Sequence, residues 1–313
     1  YLKQLETEIA KKYKRKYAIS VGSATDGLYF AMRAVGLNKG STILCPVFSY
    51  VATAGAIKRL GADIHFADTD KQGNIGDWGI MGLPSAVLYV NMFGNLADYT
   101  RLREYCDQHK IPLIEDAAQS QGAMYGKIPS GALGDVSVFS FDPMKNMPSF
   151  GTGGMVLTDS KDVYDTVISL RRQGLNGKTS YGYNSLISED HANQLLFLLG
   201  KFDKLQKMRK KVFERYKKNL EHTDFIETQE NTQSSYHKLV LLSDRRDELK
   251  TYLAQNGIET KVHYTKTLDS NNFGQYPNAE TMCAKSLSLP IYPHLNLDEV
   301  DYICDNIRKF NGV

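Results

Sequence analysis

The residues in this chain best suited to chemistry begin with one lysine. The stretch Phe139-Ser140-Phe141-Asp142-Pro143-Met144-Lys145-Asn146 continues an alternating run, with Val136, Val138 and Ser140 on one face and Ser137, Phe139 and Phe141 on the other. Pro143 has no N–H for a sheet ladder, so the strand stops before it and a loop carries Lys145. A side chain just past a strand's carboxyl end can enter the crevice where open α/β sheets bind their ligands. Lys145 is therefore the candidate nucleophile. Alone, the stretch also fits an ordinary solvated loop lysine. Its companions change the reading.

The first companion is an acid. Ile111-Pro112-Leu113-Ile114 is a compact apolar strand leading into Glu115-Asp116-Ala117-Ala118-Gln119. Adjacent carboxylates after a buried strand are costly when dry and unpaired, so at least one is expected to have a cationic partner or a ligand. Side chains alternate along a strand, so only one of the two acids is expected to face the crevice. The second companion is Gly22-Ser23-Ala24-Thr25-Asp26, between the strand pattern Tyr17–Val21 and a helical run containing Leu28, Phe30 and Met32. A helix start there offers free N–H groups and a positive dipole end at Ser23, Ala24 and Thr25, ready for phosphate. It reads equally as a plain N-cap. Tyr50 follows a strand at Thr42–Cys45 that Pro46 ends, where an aromatic can cover a flat ligand or simply pack.

These residues need a scaffold, and the rest of the chain supplies its outline. The 313 residues allow one large domain and a smaller one, with 42% apolar and 23% charged residues in ordinary globular proportion. A net charge of +3 gives no case for a nucleic-acid partner, and the basic runs at residues 11–16 and 207–211 read as solvated helix faces. Cys45, Cys106, Cys283 and Cys304 show no CxxC spacing, which favours a reducing compartment and offers no metal site. With no apolar run of membrane length and no signal-peptide pattern, a cytoplasmic protein with no membrane partner is expected. The chain opens at Tyr1 rather than Met, so a trimmed leader is expected. Strand and helix patterns alternate from Tyr17 onward, and residues 188–219 form a long helical pattern. Phe150-Gly151-Thr152-Gly153-Gly154 is an amide-rich turn before a strand, with no helix to make it a dinucleotide fingerprint. Beyond the long helix, strands near 237–242 and 257–262 and helices near 246–255 and 298–308 make a smaller α/β unit. The expected division is a large domain, 1–219, with a mostly parallel central sheet flanked by helices, and a small C-terminal domain, 220–313.

Pyridoxal 5′-phosphate (PLP) is a ligand that asks for all the pieces found. Its aldehyde needs an amine, its pyridine nitrogen a carboxylate, its phosphate oriented donors and its ring face an aromatic. The order of motifs goes further: residues 22–26, 46–53, 115–119 with Gly122, Gly134-Asp135, 139–146, Gly153-Gly154, Gly182-Tyr183-Asn184, Val262-His263-Tyr264 and 287–292. In that order and spacing the chain resembles the DegT/StrS-type PLP-dependent sugar-nucleotide aminotransferases, which share the type I fold of aspartate aminotransferase. The resemblance implies that Lys145 forms the Schiff base and moves the proton, and that Asp116 pairs with the pyridinium nitrogen. It places Gln119 near the cofactor's phenolic oxygen and Tyr50 on the ring. Ser23, Ala24, Thr25 and Ser140 would hold the phosphate. Asn184 would come from the neighbouring subunit of a homodimer, and His263 and Tyr264 would lie near the substrate.

The implied reaction is ping-pong transamination from L-glutamate to a keto group on a nucleotide-linked sugar. Lys145 argues against the family's dehydratase branch, which carries histidine there. That branch and a non-catalytic binder of cofactor or sugar nucleotide are the alternatives. Three departures bear on substrate identity: Asp142 beside the lysine, Ser185-Leu186 where arginine commonly follows the Tyr-Asn pair, and the missing leader.

Overall fold

The computed structural model describes residues 1–79, 82–175, 177–227, 229–272 and 274–312. The apolar runs Ala86–Val90 and Val136–Ser140 are buried along their whole length, as strands covered on both faces must be. They belong to a seven-stranded sheet made of β1 (Tyr17–Val21), β2 (Thr42–Pro46), β3 (Asp63–Ala67), β4 (Ala86–Val90), β5 (Leu113–Asp116), β8 (Val136–Ser140) and β9 (Gly154–Thr158). Two short strands, β6 (Met124–Tyr125) and β7 (Ile128–Pro129), form a separate three-stranded patch with β10 (Thr232–Gln233).

The order across the large sheet is β1-β9-β8-β5-β4-β2-β3. The β2–β3, β2–β4, β4–β5 and β5–β8 pairings are parallel, and β9 runs antiparallel to both its neighbours. Parallel neighbours require crossovers, and helices α1 (Leu2–Lys12), α2 (Ala24–Ala34), α3 (Val51–Leu60), α4 (Tyr99–His109) and α5 (Lys161–Arg171) lie between or beside the strands in sequence. The alternation of β8 decides what covers each face. Val136 and Val138 join the cluster containing Phe30 of α2, while Phe139 and Phe141 join one containing Leu5 and Ile9 of α1 and Leu195 and Phe202 of α6 (Glu189–Asn219).

Beyond α6, β11 (Leu239–Leu242) pairs antiparallel with β12 (Ser286–Leu289). Helix α7 (Arg246–Gln255) packs on β12, α8 (Pro277–Lys285) packs on both strands, and α9 (Leu297–Asn311) packs against α6 and α7. The C-terminal core joins Leu249, Leu253, Val300 and Ile303 to Val212 and Tyr216, so the last turns of α6 belong to it. Two sequence expectations change here. Residues 257–262 form no strand, because Gly257 turns left-handed (φ 74°) to close α7 and only Lys261 then bridges to Ser288. The strand expected at Ile111–Ile114 begins two residues later and takes in both acids, with Glu115 and Asp116 paired to Ser137 and Val138 of β8.

Candidate active site

Lys145 leaves β8 on a short loop that is built for it. The Asp142 carboxylate accepts from the Met144 N–H at 2.9 Å, and the Lys145 N–H donates to the Asp142 carbonyl at 2.9 Å. Asp142 thus caps the turn around Pro143 and also lines the cavity. Asn146 fixes the other side, donating to the Ser235 carbonyl at 2.8 Å and meeting His237 Nδ1 at 3.1 Å. The lysine amine itself has no hydrogen bond or ion pair among the described residues. It stands in a cavity of about 600 Å³ at the carboxyl ends of the parallel strands.

Asp116 faces the same cavity and is 4% exposed. Its carboxylate accepts from Thr53 Oγ1 at 2.9 Å and from the Ala118 N–H at 3.2 Å. Thr53 gives its only hydroxyl proton to Asp116, so Ser49, 2.9 Å away, must be the donor to Thr53. A relay from Ser49 through Thr53 therefore fixes the carboxylate. Burial pushes the Asp116 carboxyl up, against the Ala118 and Thr53 hydrogen bonds and the Lys145 charge. Burial pushes the Lys145 amine down, and Asp116 and Asp142 oppose it. Both groups gain from a ligand that neutralises them.

Glu115 points the other way, fully buried, with no cation in contact among the described residues. It accepts from Asn91, Ser130, Ser137 and the N–H groups of Gly131 and Leu133. The expected partner for an acid after β5 is thus met by neutral donors at Glu115, and the strand's alternation sends only Asp116 to the crevice.

Ser23 caps α2 by accepting from the Asp26 N–H at 3.1 Å, which leaves the Ala24 and Thr25 amides aimed out of the helix end. Gly154 of β9 lies hard against this turn. A Cβ there would meet the Ala24 nitrogen at 2.7 Å and the Ser23 carbonyl carbon at 2.8 Å. Ser140, 7% exposed at the end of β8, lines the cavity beside them. The amides, the hydroxyls of Thr25 and Ser140, a free amine and a buried carboxylate are a donor set that fits PLP.

Gln119 is held by the Phe93 N–H (3.0 Å to its Oε1), and its amide nitrogen lies 3.5 Å from the Tyr264 hydroxyl. Tyr50 is 56% exposed at the start of α3, with its ring 6.2 Å from that of Tyr264. His263 meets Ser288 Oγ at 2.8 Å, and burial followed by the charges of Lys238, Lys261 and Lys145 pushes it down to about 4. Ser23, Ala24, Thr25, Tyr50, Asp116, Gln119, Ser140, Lys145, His263 and Tyr264 therefore share one cavity. Asn184 does not line it; this residue is exposed, in a loop where it bridges to Arg172 and its neighbours Tyr183 and Ser185 bond to Leu170 and Arg171.

Sequence reasoning missed Ser49, Thr53, His237, Lys238 and Lys261, which also line the cavity. Thr53 was within reach, since it stands one helical turn after Tyr50 and shares its face. Lys238 and Lys261 arrive from the C-terminal elements, and no local pattern announces that. Among the described residues no group of histidine, cysteine or acid side chains is arranged to hold a metal.

The chain is similar to known proteins over nearly its whole length. The dTDP-3-amino-3,4,6-trideoxy-alpha-D-glucose transaminase of Streptomyces venezuelae is 30% identical over 328 aligned positions, covering 99% of this chain and 86% of that protein. The GDP-perosamine synthase of Escherichia coli O157:H7 is 29% identical over 331 positions, covering 99% and 90%. Among solved structures, S. venezuelae DesV in complex with a ketimine intermediate superposes with a TM-score of 0.95 at 29% identity, covering 99% of this chain and 88% of that one. The sequence profile of the DegT/DnrJ/EryC1/StrS aminotransferase family matches residues 1–308. This chain belongs to that family.

Proposed function

We propose that the protein transfers an amino group from L-glutamate to a keto group of a nucleotide-linked sugar, with PLP as cofactor. The observation that carries this reading is an unpartnered lysine amine sharing a cavity with a buried, doubly hydrogen-bonded carboxylate and an open helix N-terminus. The names of relatives that aminate nucleotide sugars support the acceptor class. PLP, when bound, supplies an aldehyde for the lysine and a ring that withdraws electrons from the substrate carbon.

The chain's own residues do the rest. Lys145 Nζ would hold the cofactor and would carry a proton from the substrate carbon and back. Asp116, oriented by Thr53 and Ser49, keeps a proton on the ring nitrogen. The amides of Ala24 and Thr25, with Ser23 and Ser140, hold the phosphate at the α2 terminus, where the dipole favours an anion. Tyr50 would cover the cofactor ring and Gln119 would meet its phenolic oxygen, and both line the cavity. His263 and Tyr264 line the substrate side.

The reading includes a cytoplasmic homodimer in which the partner subunit's Asn184 completes the phosphate site. Its support is the exposure of Asn184 beside Tyr181 (86% exposed) and Leu175 (78% exposed), apolar side chains that a subunit contact would cover. It also divides the chain into a cofactor-holding unit, 1–219, and a small unit, 220–313. No helix among the described residues is long and apolar enough to cross a membrane.

Incubation with ¹⁵N-glutamate and a panel of keto-sugar nucleotides tests the function. Mass spectrometry should find ¹⁵N in an amino sugar with the wild type and none with Lys145→Ala. Labelled product from Lys145→Ala at an undiminished rate would overturn the assignment.

A further inference from the structure

Asn184 is exposed outside its own chain's cavity, and its side chain makes no hydrogen bond among the described residues. Its neighbours on both sides are fixed. The Tyr183 N–H donates to the Leu170 carbonyl at 2.6 Å, and the Gln173 N–H donates to the Tyr183 carbonyl at 3.0 Å. On the other side the Ser185 N–H donates to the Arg171 carbonyl at 3.1 Å. Gly182 runs so close to the end of α5 that a Cβ there would meet the Leu170 carbonyl oxygen at 2.5 Å.

The side chains of these neighbours converge on one carboxylate. Asp26 Oδ2 accepts from the Ser185 hydroxyl at 2.6 Å, and that hydroxyl accepts from the Gly22 N–H at 2.9 Å. Asp26 Oδ1 accepts from Arg59 Nη1 at 2.6 Å. The Arg59 guanidinium in turn lies 4.5 Å from the ring centre of Tyr183 and 4.3 Å from that of Tyr29, and the two tyrosine hydroxyls meet at 3.0 Å. No arginine follows Asn184 in this loop; the guanidinium beside Asp26 comes from α3. Ser185 is buried, and the Asp26 and Arg59 side chains are about two-thirds to three-quarters covered (26% and 34% exposed), so solvent screens the network only in part.

Both neighbours of Asn184 thus hang from Asp26, one directly and one through Arg59. Holding an exposed loop in this way forfeits conformational entropy. What it secures is a fixed direction for the one side chain of the three without a partner, as a donor aimed at a ligand requires.

We propose that Asp26 and Arg59 are positioning residues that act in trans, fixing residues 183–185 so that the Asn184 amide reaches the cofactor phosphate of the partner subunit. This rests on the shared-site reading of Asn184. Asp26 also stands in the first turn of α2, whose opening amides face this chain's own phosphate position, so the test must separate an effect in cis from one in trans.

Mixed dimers make that separation. A loop-donor chain carries Lys145→Ala and an acceptor chain carries Asn184→Ala, so the intact site pairs the acceptor's Lys145 with the donor's Asn184. The visible band of PLP on Lys145 reports that site in a titration of the purified mixed dimer. Adding Asp26→Ala or Arg59→Met to the donor should weaken PLP by about tenfold, approaching the loss from Asn184→Ala placed there, since a misdirected donor forfeits most of its bond. Arg59→Lys keeps the charge opposite Asp26 but not the flat contact with Tyr183, and should fall between. In the absence of PLP, hydrogen exchange at the Tyr183 and Ser185 amides should quicken by about tenfold in the Asp26→Ala chain. The inference is overturned if Asp26→Ala and Arg59→Met in the donor leave PLP affinity unchanged while Asn184→Ala there weakens it. It is equally overturned if the loss appears only with Asp26→Ala in the acceptor chain, which would assign Asp26 to its own chain's phosphate. If Asn184→Ala in the donor has no effect, or the chains form no dimer, the shared-site reading falls and this inference with it, as both do if PLP gives no visible band. Should the Asp26→Ala chain fail to fold, Arg59→Met decides in its place.

Discussion

At the level of single residues, two hydrogen bonds to the Asp116 carboxylate oppose the burial that raises its carboxyl. Thr53 Oγ1 and the Ala118 N–H each supply one hydrogen bond, and losing a bond to a buried charge costs about 1.5–3 kcal/mol. In Thr53→Val the Asp116 carboxyl should rise further, because one of the groups that lowers it is gone. The acid limb of the L-glutamate half-reaction should then move to higher pH, with little change at alkaline pH. An unmoved limb in a stopped-flow pH series would show that the relay does not govern Asp116. Asp116→Asn removes the charge itself and should slow the same half-reaction by about 10²–10³-fold, the usual effect of losing one preorganised electrostatic partner.

Lys145 was legible in the sequence because strand punctuation is a local signal, whereas alternation said only that one of Glu115 and Asp116 faces the crevice, and the family resemblance chose Asp116. Pro143 ended β8 where the pattern required, and alternation in β5 sent one acid each way. Thr53 was not singled out, since a threonine inside a helix has no distinguishing pattern until its partner is known. Lys238 was silent for a stronger reason: it is far from Lys145 in sequence, and only the fold brings both to one cavity.

At the scale of elements, the contact between β9 and the start of α2 positions the phosphate-binding end of the site. Gly154→Ala would drive a methyl into the Ser23–Ala24 backbone, which cannot yield as a flexible side chain can. The variant should bind PLP at least about tenfold more weakly while losing about 1–3 kcal/mol of stability. Fluorescence titration with PLP and urea unfolding measure the two effects. Unchanged PLP affinity would remove the α2 terminus from the cofactor site.

A second element-level prediction concerns the turn after β3. Asp70 accepts from the Gln72 and Asn74 N–H groups, yet burial outweighs these bonds and lifts its carboxyl from 3.8 to about 6. A carboxyl raised on folding stabilises the fold at low pH, and the benefit is lost as pH climbs from about 4 through about 6. Asp70→Asn, whose amide oxygen can accept the same two bonds, should therefore raise Tm at pH 8 by roughly 2–4 °C and not at pH 4. Equal shifts at both pH values would contradict the assignment. The elements themselves were mostly readable. Residues 257–262 were not, because their apolar pattern imitates a strand while Gly257 spends its first residue on closing α7.

For the whole molecule, the Asn184 loop is the element that bears on a site shared between subunits. It is pinned to its own chain through Ser185, whose hydroxyl donates to Asp26 at 2.6 Å and accepts from the Gly22 N–H at 2.9 Å. The loop therefore stands at a fixed place beside the α2 terminus without entering that chain's cavity. If it serves the partner subunit, a mixture of inactive Lys145→Ala and inactive Asn184→Ala chains should recover activity on subunit exchange, approaching one quarter of wild type from the one intact site in each mixed dimer. No recovery, with exchange verified by mass photometry, would contradict a shared site.

The central claim is that Lys145 and Asp116 form a PLP site that accepts an amino group. It is tested most directly by the absorbance spectrum of the PLP-loaded protein before and after L-glutamate, with Lys145→Ala alongside. The account predicts a visible band in wild type that glutamate replaces with the near-ultraviolet band of the aminated cofactor, and no such conversion in Lys145→Ala. A wild type that takes up no PLP, or a Lys145→Ala protein that converts as wild type does, would contradict it.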